Sequence, residues 1–129
     1  MKVRNINNII VLSFLWTAMF TSCQHKNRLK DFPEINDAEY SIYQNKEERG
    51  YDVSFVVSNE KYQPIAVVIN KIEQKIVPEH KKGLHYHIDV KAESRILNNF
   101  MPKASGNPNG ILFKTHSGDY FQKVDFKVK

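Results

Sequence analysis

Three residues whose side chains could bind a metal ion alternate along one segment of the chain: His85, His87 and Asp89. Alternate residues of a β-strand project to the same side of a sheet, so these groups would share one face. Imidazole and carboxylate groups are ordinary zinc ligands, and His80 or His116 could complete a coordination shell if the fold brought it near. This spacing makes the segment a candidate metal site.

The same segment also has the pattern of a strand with one face in water. The polar alternation continues into Lys91 and Glu93, and Lys91 would repel a cation. The intervening side chains are all apolar: Leu84, Tyr86, Ile88, Val90 and Ala92. An antiparallel sheet that is solvated on one side produces this alternation. We therefore favour a solvated strand face over a metal site.

Catalytic motifs are missing from the sequence. No serine or histidine lies in a G-x-S-x-G or H-E-x-x-H setting, and there is no glycine-rich phosphate-binding loop. Glu47-Glu48 and Glu79-His80 are adjacent pairs in predicted loops, but neighbouring positions do not bring side chains together. We predict a protein that is not an enzyme and binds no cofactor.

The first 22 residues have the composition of a secretory signal peptide. Residues 1–4 are basic, and residues 9–20 form a mostly apolar run without charge. A membrane-spanning helix needs about 20 apolar residues, so this run is too short to be one. Small residues follow at Thr21 and Ser22, and the single cysteine of the chain, Cys23, comes next.

The motif Phe20-Thr21-Ser22-Cys23 resembles the lipobox of bacterial lipoprotein signal peptides, with Phe20 where Leu is usual and Ser22 where Gly or Ala is usual. This resemblance covers residues 1–23 only. It implies cleavage before Cys23 and lipidation of Cys23 with fatty acids such as palmitate, which would anchor the protein to a membrane. An ordinary signal peptide, with Cys23 a bystander, is the alternative.

The resemblance also implies a location in the bacterial cell envelope. Gln24 replaces the Asp that retains some lipoproteins at the inner membrane, which favours the periplasmic side of the outer membrane. Residues 23–37 are then a tether, and residues 38–129 form the domain. A single cysteine excludes an intramolecular disulfide, so the domain depends on its hydrophobic core.

The charge of the chain argues against a nucleic-acid partner. Loss of Lys2 and Arg4 with the signal peptide lowers Lys+Arg from 19 to 17 against 14 Asp+Glu, a net charge of +3. These charges are spread along the sequence and form no concentrated basic patch. We expect the membrane as one partner, and an envelope protein or a glycan as another.

The hydrophobic period is mostly two, which predicts an all-β domain. We expect a small antiparallel β-sandwich of about six or seven strands, rather than a barrel. Residues 65–69 are apolar on both faces, a tight turn could lie near Glu73-Gln74 without a fixed position, and residues 120–129 are assigned to one long strand whose lysines protect an edge. The predicted core consists of Phe55, Val67, Tyr86, Ile88, Val124 and Phe126.

Residues 94–110 interrupt the period and are the candidate binding loop. The segment carries four asparagines, two glycines and two prolines, a composition that resists regular structure. Residues 94–101 could form one or two helical turns, with Ser94 as the cap. We predict a ligand surface that includes Asn98, Asn99, Phe100 and Met101; a plain connector, in which Ile96, Leu97 and Phe100 close the core, is the alternative.

These observations favour a lipid-anchored, exported lipoprotein that acts as a non-catalytic binding or accessory module. Two other classes stay open. Ser117-Gly118-Asp119-Tyr120 is similar to the Ser-Gly-rich segment of periplasmic lysozyme inhibitors of the lipoprotein type, which implies an inhibitor or immunity-type lipoprotein against a toxin or wall-degrading enzyme. A metal-binding protein or enzyme that uses the face of His85, His87 and Asp89 is the other.

Overall fold

The computed structural model describes residues 32–129, so the predicted signal peptide, the predicted lipobox and most of the predicted tether lie outside the described residues. The described part is all-β, as predicted, and contains no α-helix. It has ten strands rather than six or seven, and a single 3-10 turn, Pro78–His80. No helix in residues 32–129 has the length and apolar character needed to cross a bilayer.

The first sheet has five strands in the order β10-β1-β2-β6-β5. Their bounds are β1 Ile35–Gln44, β2 Glu48–Val57, β5 Lys81–Lys82, β6 His85–Ser94 and β10 Lys127–Val128. The pairs β1–β2 and β2–β6 are antiparallel, and β10 pairs parallel to β1. Three ten-residue strands therefore make up the body of this sheet.

The second sheet also has five strands, in the order β7-β4-β3-β8-β9. Their bounds are β3 Gln63–Ile69, β4 Ile72–Lys75, β7 Lys103–Ala104, β8 Gly110–Thr115 and β9 Gly118–Lys123. All of its neighbouring strands are antiparallel. β4 packs against β6 of the first sheet, so the arrangement is sandwich-like.

The core is built from the apolar faces that the alternation predicted. Tyr86, Ile88, Val90 and Ala92 of β6 are buried, and the rings of Tyr86 and Phe55 stack with centroids 4.9 Å apart. Strand β3 is buried on both faces, since Ala66, Val67, Val68 and Ile69 are all covered. Burial of these β-branched and aromatic side chains is the main stabilising contribution in a domain without disulfides.

One of the six predicted core residues is not buried. Residues 120–129 do not form one strand: β9 ends at Lys123 in the second sheet, and β10 lies in the first. Residues 124–126 cross between the sheets, which leaves Phe126 only half-buried. The alternating pattern continues through this crossover, so it does not reveal the break.

Two predicted turns are also placed differently. The β3–β4 turn lies at Asn70 and Lys71, not near Glu73-Gln74, and both residues have positive φ, at 48° and 69°. Two consecutive left-handed residues are the conformation of a two-residue hairpin turn. The first hairpin turn comprises only residues 45–47, so Glu48, assigned to a loop from the sequence, begins β2 and Gly50 lies inside this strand.

The fold begins earlier than residue 38. Pro33 is fully buried, and β1 begins at Ile35. The backbone N–H of Glu34 donates to Oγ of Ser58 at 2.7 Å, and the N–H of Ser58 donates to the carbonyl of Glu34 at 3.0 Å. Residues 33–37, assigned to the tether from the sequence, therefore belong to the folded domain.

Candidate functional site

Strand β6 presents its polar residues to solvent, as the alternation predicted. His85, His87 and Asp89 are all exposed on the outer face of the first sheet. The neighbouring strand β2 places Ser54 opposite His87 and Asp52 opposite Asp89. Two like-charged carboxylates are thus direct cross-strand neighbours, an arrangement that is unfavourable unless each has a partner.

Each of these two carboxylates has a partner. Nε2 of His87 forms a hydrogen bond with Oδ1 of Asp52, diagonally across the strand pair. Asp89 accepts a hydrogen bond from the hydroxyl of Tyr43 at 2.5 Å and one from Nζ of Lys91 at 3.0 Å. The repulsion between the two aspartates is offset by these contacts.

Lys91 connects this outer face to the end of the sheet. Its Nζ lies 2.9 Å from Oε2 of Glu48, and Glu48 also accepts a hydrogen bond from Oγ of Ser94 at 3.0 Å. Hydrogen bonding to Glu48 raises the pKa of Lys91, and the same contact lowers the pKa of Glu48. One connected chain of polar contacts therefore links Tyr43, Asp89, Lys91, Glu48 and Ser94.

A glycine makes room for this network. Tyr43 is the register partner of Gly50, and Gly50 is the register partner of Lys91. A Cβ at Gly50 would lie 2.7 Å from the hydroxyl oxygen of Tyr43 and 2.5 Å from the carbonyl oxygen of Val90. The tyrosine can thus reach over β2 toward Asp89. Burial, and then its hydrogen bond to Asp89, raise the pKa of Tyr43 to about 12.

The candidate metal ligands do not converge. In residues 32–129 there is no group of three or more His, Cys, Asp or Glu side chains close enough to hold a metal ion. His87 is paired with Asp52, and Asp89 is bound by Tyr43 and Lys91. His80 and His116, the two histidines considered as further ligands, do not complete a metal site either. Nδ1 of His80 accepts the N–H of Val77 at 3.1 Å, and His116 lies in the β8–β9 turn of the second sheet. This face is better described as a network of ion pairs.

The predicted binding loop follows directly from the polar network. Residues 94–101 contain no helical turn; they form bends and turns, with Asn99 at a φ of 56°. A left-handed residue of this kind is incompatible with a helix that continues through Asn99. A two-residue strand, β7, which the sequence did not reveal, follows at Lys103 and pairs with β4.

The beginning of the loop is fixed to the β1–β2 hairpin. The N–H of Arg95 donates to the carbonyl of Glu47 at 2.7 Å. Oγ of Ser94 accepts the N–H of Leu97 at 3.1 Å while it donates to Glu48. These hydrogen bonds, two to the hairpin and one within the loop, give the loop a defined conformation at its start.

The loop and the hairpin together line a cavity of about 400 Å³. Phe100 and Pro102 supply the apolar part of its wall, and residues 44–49 and 92–95 supply the rest. Phe100 is half-buried there. Part of its surface is therefore exposed, and that part contributes to the wall of the cavity.

Loop residues adjacent in sequence to those that line the cavity carry exposed apolar side chains. Ile96 is 57% exposed, Leu97 50% and Met101 86%, and Asn98 and Asn99 are exposed between them. Sequence reasoning selected Asn98 to Met101 as the ligand surface and considered Ile96 and Leu97 only in the alternative, as residues that close the core. The contribution of residues 44–49 was missed; Asn45 was the available signal, because its Oδ1 accepts the N–H groups of Glu47 and Glu48, a typical turn contact.

The segment compared with lysozyme inhibitors forms a hairpin at another part of the fold. Ser117 lies in the two-residue β8–β9 turn, and Gly118, Asp119 and Tyr120 begin β9. Comparisons with known proteins add no assignment: no family model, curated protein or solved structure matches this chain. The function is therefore argued from the residues of the site.

Proposed function

We propose that this protein is an exported, lipid-anchored, non-catalytic binding module of the bacterial cell envelope. Its anchor is Cys23, and its recognition surface consists of residues 96–101 together with the β1–β2 hairpin turn. We place it on the periplasmic side of the outer membrane. The observation that carries the proposal is the joint exposure of Ile96, Leu97 and Met101 on a loop whose start is held by hydrogen bonds.

This exposure is unusual within the described domain. Only six large hydrophobic side chains of residues 32–129 are exposed, and three of them lie in this one short loop. Apolar groups clustered on a surface cost free energy in water, and in soluble proteins they commonly mark an interaction site. A loop that served only as a connector would not need them.

The site also lies far from the point where the chain enters the fold. Glu34 and the end of β2 mark one end of the first sheet, and residues 45–47 mark the other. A ten-residue strand such as β1 spans about 33 Å, so the two ends are separated by roughly that length. A protein anchored through its N-terminal tether would thus present the loop away from the membrane.

The chemistry of the surface favours a protein partner. Its exposed groups are aliphatic side chains and a thioether, which adapt to apolar side chains of another protein. Glycan sites usually need an exposed aromatic ring, and the one aromatic residue here, Phe100, is half-buried. The charged residues around the cavity, among them Lys46, Glu47, Arg49 and Arg95, carry both signs, which suits a polar rim of mixed charge.

The anchor is tested with the intact protein and Cys23→Ala. Wild-type protein should carry the added mass of diacylglyceryl and acyl groups on Cys23 and should partition into the detergent phase. The variant should lose both properties while its circular dichroism spectrum stays that of a β-protein. Wild-type protein without lipid mass, found in the aqueous phase, would refute the anchor and leave the binding surface to be tested separately.

The surface is tested by photo-crosslinking in cells. A photoreactive amino acid at Met101 should give a discrete adduct with one envelope protein. The same amino acid at Val128, which is also exposed at 57%, is the matched control and should not give that adduct. Equal adducts at both positions, or none at Met101, would contradict the proposed surface.

A further inference from the structure

Strand β9 forms an open edge of the second sheet. It pairs with β8 on one side, and no other strand of residues 32–129 lies on its other side. It is six residues long and contains no proline. Edge strands of this length can pair with a further strand unless charge, a bulge or a short length prevents it. Of the lysines expected to protect this edge, only Lys123 lies on β9.

The free hydrogen-bonding groups of β9 belong to alternate residues. The N–H of Val124 donates to the carbonyl of Asn109 on the β8 side. In an antiparallel pair, residues alternate between hydrogen-bonded and non-hydrogen-bonded positions, so Gln122, Tyr120 and Gly118 also direct their backbone groups to β8. The N–H and C=O groups of Asp119, Phe121 and Lys123 consequently point outward.

The side chains of these three outward residues are self-complementary. If two copies of β9 are placed antiparallel about Phe121, Asp119 of each copy lies opposite Lys123 of the other, and Phe121 lies opposite itself. Asp119 and Lys123 are exposed, and neither has an ion-pair partner within residues 32–129. We infer that this protein forms a symmetric dimer through its β9 edges, with a second copy of the chain as the partner.

The geometry of this dimer is internally consistent. The twofold axis passes midway between the two copies of Phe121, perpendicular to the sheet, as an isologous interface requires. The pairs 119–123, 121–121 and 123–119 are all hydrogen-bonded positions, which gives about six backbone hydrogen bonds. Two five-stranded sheets then join into one continuous sheet with an Asp–Lys ion pair on each side of the axis.

Phe121 contributes an apolar contact at the axis. Its ring lies across Gly110, where an added Cβ would collide with it. The ring is only half-buried in one copy, so pairing would cover it with its symmetry mate. A strand pair this short buries little area, so the dimer should be reversible and depend on concentration.

The test uses the intact protein, purified in detergent, with its mass measured by sedimentation over a series of concentrations. Wild type should shift from monomer to dimer as concentration rises. Asp119→Lys and Lys123→Asp should each weaken dimerisation about tenfold or more, because two ion pairs become two repulsions. Lys82→Asp, the same charge change on β5 of the other sheet, should have no effect.

Rescue of pairing distinguishes this edge from any other interface. The double variant D119K/K123D should dimerise like wild type, because its residues 119 and 123 again carry opposite charges. A mixture of the two single variants should form heterodimers, because residue 119 of each copy then lies opposite a residue 123 of opposite charge. Circular dichroism of each variant checks that the fold persists. A wild type that stays monomeric at all concentrations, or a dimer that neither single variant weakens, would overturn the inference.

Discussion

Oγ of Ser94 donates a hydrogen bond to Oε2 of Glu48 at 3.0 Å and so joins the start of the binding loop to the β1–β2 hairpin. The same oxygen accepts the N–H of Leu97, which fixes the first bend of the loop. Through Glu48 and Lys91, the loop is also connected to the polar network on the outer face of the sheet. The order of the loop therefore depends on residues of β1, β2 and β6.

Removal of this hydroxyl should loosen the loop without unfolding the domain. Ser94→Ala should lower the free energy of unfolding by about 1 kcal/mol, because it deletes hydrogen bonds to Glu48 and Leu97. Hydrogen exchange at the amide of Leu97 should become faster. Ser117→Ala, in the exposed β8–β9 turn, should change neither quantity; equal effects of the two substitutions would mean that Ser94 does not hold the loop.

The glycine beneath Tyr43 should not tolerate a methyl group. Gly50→Ala should destabilise the protein by about 1–3 kcal/mol, the usual result of overpacking, since the backbone of Val90 and the ring of Tyr43 occupy the space. Gly106→Ala is the matched control, because nothing lies within 4 Å of its added Cβ. Chemical denaturation that shows equal stability for the two variants would contradict the close approach of Tyr43 to β2.

The core and the crossover should respond differently to truncation of a phenylalanine. Phe55→Ala should cost about 3–5 kcal/mol, because Phe55 is 1% exposed and stacks on Tyr86. Phe126→Ala should cost clearly less, since Phe126 is half-buried between the sheets. His87→Ala should cost still less, because its hydrogen bond to Asp52 is exposed to solvent. A loss for Phe126→Ala equal to that for Phe55→Ala would show that the crossover is misplaced.

The network around Lys91 should make stability depend on pH in the acid range. The hydrogen bond from Lys91 lowers the pKa of Glu48 below its ordinary value of 4.5. A folded-state pKa below the unfolded value stabilises the protein above about pH 4.5, and this stabilisation is lost as pH falls through the folded value. The free energy of unfolding should thus decrease on acidification, and less steeply in Glu48→Gln.

Lys91→Met provides the matching control for this pH dependence. Without the lysine, the main cause of the lowered pKa of Glu48 is gone, so the acid-range slope should decrease as it does in Glu48→Gln. Glu39, whose pKa is lowered by Lys129, accounts for part of the slope that remains. Urea denaturation at a series of pH values measures each slope. An unchanged slope in both variants would contradict the role of this ion pair.

The sequence was sufficient where local pattern determines structure. The alternation from Leu84 to Glu93 predicted both faces of β6, and the continuous apolar run at residues 65–69 predicted a strand covered on both sides. Residues 98–101 were identified as an irregular surface loop because asparagine, glycine and proline resist regular structure. In each case the information lies in neighbouring residues.

Features that depend on strand register could not be predicted in this way. Asp52 pairs with His87, 35 positions later, only because β2 and β6 are adjacent in a particular register. The crossover at residues 124–126 was missed because the alternating pattern runs through it without interruption. The cavity beside Phe100 was missed for the same physical reason, since its other wall comes from a hairpin about fifty residues earlier in the chain.

The most direct test of the proposed function uses the partner that photo-crosslinking captures. Its affinity is measured for wild type and for two matched variants of the intact protein. Ile96→Ser and Val128→Ser remove similar apolar side chains that are equally exposed, at 57%. If the loop is the recognition surface, Ile96→Ser should weaken binding about tenfold, the usual effect of a loss of 1–2 kcal/mol at an interface, and Val128→Ser should leave it unchanged. Equal affinities for wild type and both variants would contradict the account.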